Sequence, residues 1–162
     1  MPNQIFIKKS VTVFLQAITL LIGVAVLIFM LWEPHLEGRN AGATFFEVYT
    51  KDPFLVWAYT ASISFFVALY QIFKLLGLVR QDEIFSTEST KALRAIQYCS
   101  AILIVFLVAG EAYLHIVVRS KDDIAGGSMI GFVLILVAAT VAATTYLFEK
   151  IVQDTLEKNP KS

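Results

Sequence analysis

A single cysteine, two histidines and a charged fraction of only 16% leave this chain little equipment for aqueous chemistry. One thiol, Cys99, cannot close an intramolecular disulfide and cannot serve an oxidoreductase that works through paired cysteines, so it reads as a small buried side chain. A zinc site needs three or four ligands, yet the only histidines are His115 and His35, the latter on an expected loop. No HExxH, GxSxG or glycine-rich phosphate loop occurs. The formal net charge is zero, which gives no argument for nucleic-acid binding. No tandem repeat or low-complexity tract is evident. The sequence therefore calls for no metal, no cofactor and no catalytic residue, and the chain is read as a protein that is not an enzyme.

What it has in abundance is apolar length. Hydrophobic residues make up 57% of the chain and the mean hydropathy is +0.72, where a soluble domain carries about 25% charged residues. Val11–Trp32 (22 residues), Phe54–Phe73 (20) and Ile124–Phe148 (25) contain no formal charge, and Ala95–Val118 (24) contains one. About 20 apolar residues rising ~1.5 Å each cross ~30 Å of hydrocarbon, so all four runs qualify as spans. The first exceeds the apolar core of a signal peptide, about 7 to 15 residues, and is expected to stay as a span. The predicted fold is all-α: an integral-membrane four-helix transmembrane bundle, one membrane domain over residues 1–162, with spans at about 11–32, 54–76, 95–118 and 124–148. The tail from Glu149 is too short to be a second domain.

Charge sets the expected orientation. Four spans place both termini and the 74–94 connection on one side, with nine basic residues (Lys8, Lys9, Lys74, Arg80, Lys91, Arg94, Lys150, Lys158, Lys161) against four (Arg39, Lys51, Arg119, Lys121) on the other. The positive-inside rule then predicts cytoplasmic N- and C-termini, and the short loops suit a bacterial inner (plasma) membrane. Trp32 and Trp57 fall near the outer interface. The outer loop Glu33–Pro53, with turns at Gly38, Asn40 and Gly42 and an aromatic stretch Thr44–Tyr49, is the expected external contact surface. On the other side Ser86 is the expected N-cap of a helix that runs unbroken into the third span, with Glu88 in its first turn. Lys91 and Arg94 would stand just below the membrane, solvated or against anionic lipid.

The polar and small residues of each span fall on one stripe: Thr12, Gln16, Thr19 and Gly23; Thr60, Ser64, Gln71 and Lys74; Gln97, Ser100, Glu111 and His115; Gly127, Gly131, Ala138, Ala142 and Thr145. Helices associate in lipid through small residues and interhelical hydrogen bonds, so these stripes predict a compact bundle. Gly127 and Gly131, with Ala138 and Ala142, are candidate packing positions, either within the chain or across a homodimer.

Glu111, the one charge inside a span, is the candidate functional residue, because intramembrane acids are costly and mark function by default. His115 shares its face one turn on. Counting inward from Phe54 brings Thr60 and its neighbour Tyr59 to similar depth, as candidate partners of the carboxyl group. Three roles stay open for Glu111 and His115: fixing the bundle, binding a proton or ligand near the outer side, or an enzyme site.

The string Arg80-Gln81-Asp82-Glu83-Ile84-Phe85-Ser86, then Lys91-Ala92-Leu93-Arg94 and the third span, resembles a bacterial membrane-protein family catalogued as domain of unknown function 2975. The chain departs from that pattern at Ile84, where proline is expected, and has no glycine just before it. The resemblance implies a four-span protein of about this length, with Phe85 and Ser86 as a staple and a cap at the entry to the third helix. It names no chemistry. The reading favoured by the sequence is a non-catalytic interaction or regulatory protein in the lipid bilayer, partnered by another membrane protein or a second copy of itself. The alternatives are a proton- or cation-linked carrier or channel component using Glu111, and a lipid-binding protein.

Overall fold

The computed structural model describes residues 2–36, 44, 53–118 and 125–158. They form four long helices: α1 (Pro2–Leu36), α2 (Pro53–Arg80), α3 (Thr87–Tyr113, continued by a π-helical turn over Leu114–Val118) and α4 (Ala125–Lys158). Each contains a segment long and apolar enough to cross a membrane: Lys9–Trp32, Leu55–Arg80, Thr87–Val117 and Gly126–Lys158. The four-helix transmembrane architecture read from the hydrophobic runs is the one observed.

The helices overrun the apolar runs. Pro2 and Pro53 stand at the first helical positions of α1 and α2, where a missing N–H costs nothing and φ is already set. α1 continues through Glu33, Pro34 and His35 to Leu36, so His35 is helical and not on a loop. α4 runs ten residues past Phe148, and the expected short tail is its last three turns. The expected external contact surface, including Gly38, Asn40, Gly42 and most of Thr44–Tyr49, lies outside the described residues.

Pro34 has a consequence inside the membrane. Without an N–H it cannot bond to the carbonyl of Met30, one turn back, and an unsatisfied carbonyl in hydrocarbon is expensive. The hydroxyl of Tyr59 on α2 donates to Met30 O and fills the gap. Tyr59 thereby ties α2 to the one turn of α1 that its sequence leaves incomplete.

Successive helices are antiparallel and pack in chain order, α1 on α2, α2 on α3 and α3 on α4. No comparable contact joins α1 to α4 among the described residues, so the bundle is a row of four with two flanks and not a closed ring. Two seams use the same device. Gln16 Nε2 donates to Phe73 O at 3.2 Å, and Trp57 Nε1 donates to Phe106 O at 3.2 Å. The residue four positions on is glycine in each case, Gly77 and Gly110, where a Cβ would lie 3.6 Å from Gln16 Nε2 and 3.8 Å from Trp57 Nε1. A helical side chain leans over the turn before it, so glycine there uncovers the carbonyl to a donor from the next helix. The Trp57 ring also stacks on Phe106 with centroids 4.6 Å apart. On α1, Gly23 admits Leu69, whose Cδ2 would stand 2.9 Å from an added Cβ.

The α2–α3 connection is a helix-ending turn. Glu83 N bonds to Leu78 O at 2.9 Å and Asp82 N to Val79 O at 3.3 Å, the two bonds of a Schellman motif, with Asp82 at φ 63 in the left-handed position usually given to glycine. Ser86 then caps α3: its backbone is extended and its hydroxyl accepts from Ser89 N at 3.2 Å, with Glu88 in the first turn, as the sequence predicts. Ser89, fully buried, donates back to Glu83 O at 3.2 Å and pins the turn to the helix.

Candidate functional site

Apolar burial concentrates where the first turns of α3 meet the last turns of α4. Ala92, Leu93, Ile96 and Val152 are each 2% exposed or less, whereas most large apolar side chains elsewhere face outward, as residues solvated by lipid do. Against this core sits a carboxylate. Glu149, on α4, accepts from Arg94 Nε (3.1 Å) and Nη2 (2.8 Å) and from Gln153 Nε2 (2.9 Å) at Oε1, and from Gln97 Nε2 (2.7 Å) at Oε2. Four N–H donors on a buried acid make a charge-assisted clamp between α3 and α4. Arg94, expected to be solvated or on lipid, is committed to this acid, because α4 continues past the apolar run and brings Glu149 level with it. Lys91 bonds to Glu88 at 3.1 Å, and Lys74 on α2 reaches the same carboxylate at 2.9 Å.

The other end of the same seam holds the intramembrane acid. Glu111 is 8% exposed and accepts a 2.7 Å hydrogen bond at Oε2 from Ser128 Oγ of α4. His115 Nε2 lies 3.1 Å from the same serine oxygen and 3.7 Å from Oε2. The serine has one proton and it points at the acid, so its oxygen takes the N–H of His115. The donor order is therefore His115, Ser128, Glu111. Its outer end is exposed and the rest buried: the His115 side chain is 44% exposed and that of Glu111 10%, and Ser128 is buried between them. His115 is carried by the π turn that ends α3, an irregularity that recurs at functional sites.

Gly131, one turn beyond Ser128, makes room for the acid. A Cβ there would overlap Glu111 Oε1 and stand 2.8 Å from its Cδ and 3.4 Å from its Cγ. Of the Gly127 and Gly131 pair only Gly131 is a close approach; Gly127 is exposed, and a Cβ added to it would meet nothing within 4 Å. Ala138, on the same helix, is 6% exposed, and Ala142 is half-buried.

Glu111 and His115 are thus brought together as the shared stripe predicts, but Thr60 and Tyr59 are not the donors to the carboxyl group. Thr60 is exposed and donates to Val56 O at 2.8 Å in its own helix, and Tyr59 donates to Met30 O. Trp57 stands beside Gly110, which puts Thr60 about a turn deeper than the acid. The partner comes from α4 and is Ser128, a residue the stripes did not single out. Its only sequence signal is its place one turn before Gly131.

Comparison with known proteins agrees with this architecture. The chain is 29% identical over 151 residues, 93% of its own length and 94% of the relative's, to a protein of Bacillus subtilis (strain 168) described as an uncharacterized membrane protein, YoaS. No solved structure matches. The family described as Protein of unknown function (DUF2975) matches residues 37–157, from just after α1 almost to the end of α4. With that match over three of its four spans and the capped turn between α2 and α3, the chain belongs to the DUF2975 family of membrane proteins.

Proposed function

We propose that this protein is a non-catalytic inner-membrane protein that acts by associating laterally with another membrane-spanning protein or with a second copy of itself, with both termini in the cytoplasm. The observation that carries this reading is the open row. Among the described residues α1 and α4 each pack mainly against one neighbour, which leaves the opposite flank of each largely open. Helices in lipid gain nothing from hydrophobic collapse, so an unclosed flank is stable in lipid and remains available to a partner helix. The interior supports the same reading: Gln16, Trp57, Tyr59, Gln97 and Glu111 each bond to a neighbouring helix and hold the row in register. Nine basic residues against four support the orientation.

The test is crosslinking in native membranes with single cysteines placed along the outward faces of α1 and α4 in a Cys99→Ser background. A crosslinked homodimer or a defined heteromeric adduct, recurring at helical spacing along one flank, is expected. A strict monomer after purification, with no adduct from either flank, overturns the reading.

A further inference from the structure

The chain of donors that ends on Glu111 does more than hold two helices together. Serine needs no histidine to donate to a carboxylate, and a helix seam needs no titratable group that reaches from an exposed position to a buried one. His115 stands three residues from the end of the π turn, about 5 Å below the membrane face where α3 ends. Its ring joins that face to a carboxyl group buried one turn further in.

We propose that His115, Ser128 and Glu111 form a proton-loading relay. The imidazolium of His115 takes its proton from water at that face. The Nε2–H bond then breaks as an O–H bond forms on Ser128, and the hydroxyl proton of Ser128 moves to Glu111 Oε2. The products are a neutral imidazole, an intact serine and a neutral carboxylic acid, so charge and protons balance with no further reactant. The reverse sequence discharges the acid to the same face.

The surroundings leave Glu111 few other partners for proton exchange. On α3 the titratable group facing it is His115. From α4 it meets Ser128 and the backbone at Gly131, neither of which titrates near neutral pH. On α2, Tyr59 and Thr60 direct their hydroxyl protons to Met30 O and Val56 O. Loading also has a mechanical output. Ionised Glu111 accepts a charge-assisted hydrogen bond from Ser128 of α4 at 2.7 Å and rests on Gly131; the neutral acid accepts a weaker one, so the α3–α4 seam loosens at this end while the Glu149 clamp holds the other. This inference does not rest on the association reading, because it concerns one chain in lipid and stands whether or not a partner is found.

Infrared difference spectroscopy of the full chain in phosphatidylcholine vesicles tests it, with the pH stepped from about 8 to about 5, the range in which histidine changes charge. A carboxylic-acid carbonyl band that appears with the step and is missing in Glu111→Gln is expected. Ser128→Ala should slow its appearance by about 100-fold, the low end of what a positioned proton donor contributes, and Ser128→Thr, which keeps the hydroxyl, should restore most of the rate. Amide bands of each variant report whether its helices are intact. Identical difference spectra for the unmodified chain and Glu111→Gln would overturn the proposal, as would an unslowed band in helical Ser128→Ala.

Discussion

The carboxyl group of Glu111 occupies the space where a side chain at residue 131 would begin: a Cβ on Gly131 would overlap Oε1 and stand 2.8 Å from Cδ. Acid and glycine are one structural unit, the first filling what the second leaves empty, with Ser128 holding the acid in place at 2.7 Å.

The two glycines of the α4 pair should therefore behave differently. Gly131→Ala forces the acid out of its seat and is expected to destabilise the protein by about 1–3 kcal/mol, as overpacking does. Gly127→Ala meets open space and should be neutral or stabilising by up to about 1 kcal/mol from helix propensity. Thermal unfolding of both variants in the same lipid or detergent checks the contrast.

Pro34 and Tyr59 should be coupled. Removing the Tyr59 hydroxyl leaves Met30 O without its donor, so Tyr59→Phe is expected to cost about 1–3 kcal/mol, the penalty of a buried unsatisfied group. In a Pro34→Ala background the restored N–H can bond to Met30 O, and the same change should cost less than about 1 kcal/mol. Equal costs in both backgrounds would contradict this role for Tyr59.

Glu149 and Glu88 separate a buried clamp from a surface pair. The Glu149 side chain is 9% exposed and has four donors, whereas that of Glu88 is 47% exposed and shares two lysines. Glu149→Ala is expected to lower the unfolding temperature well beyond Glu88→Ala, because it strands Arg94 and Gln97 beside a packed core, while exposed pairs are screened. Raised salt should erase the Glu88 effect and leave most of the Glu149 effect.

Asp82 lies in the left-handed region at φ 63. Glycine takes that conformation without a Cβ penalty, so Asp82→Gly is expected to stabilise the α2–α3 turn by about 0.5–1 kcal/mol, and Asp82→Val to destabilise it by about 1–2 kcal/mol. Denaturant unfolding of both variants reads the sign directly.

Much of this was legible in the sequence because lipid imposes simple rules. Four apolar runs of spanning length gave four helices, and Ser86 with Glu88 gave the cap of α3. The pairing of Glu111 with His115 followed from four-residue spacing. The partner of the acid did not follow. α2 and α4 both run antiparallel to α3, so each offers residues near the level of Glu111, and counting depth says nothing about which neighbour a helix turns its polar stripe toward. Glu149 was hidden for a related reason: it sits one residue beyond an uncharged run and reads as a tail until α4 carries it alongside Arg94. The Asp82 turn was hidden as well: no glycine marks it, yet Asp82 holds the left-handed backbone conformation that glycine adopts most readily.

The most direct measurement is a double-mutant cycle between Glu111 and Gly131, by unfolding in lipid or detergent, using Gly131→Ala, Glu111→Ala and the pair. With the carboxyl group gone, the methyl group at position 131 enters vacated space. The change Gly131→Ala should then cost little or stabilise, a coupling of at least about 1 kcal/mol, as residues in contact show. If the two substitutions are additive, Glu111 does not rest on Gly131, and the account of this seam is contradicted.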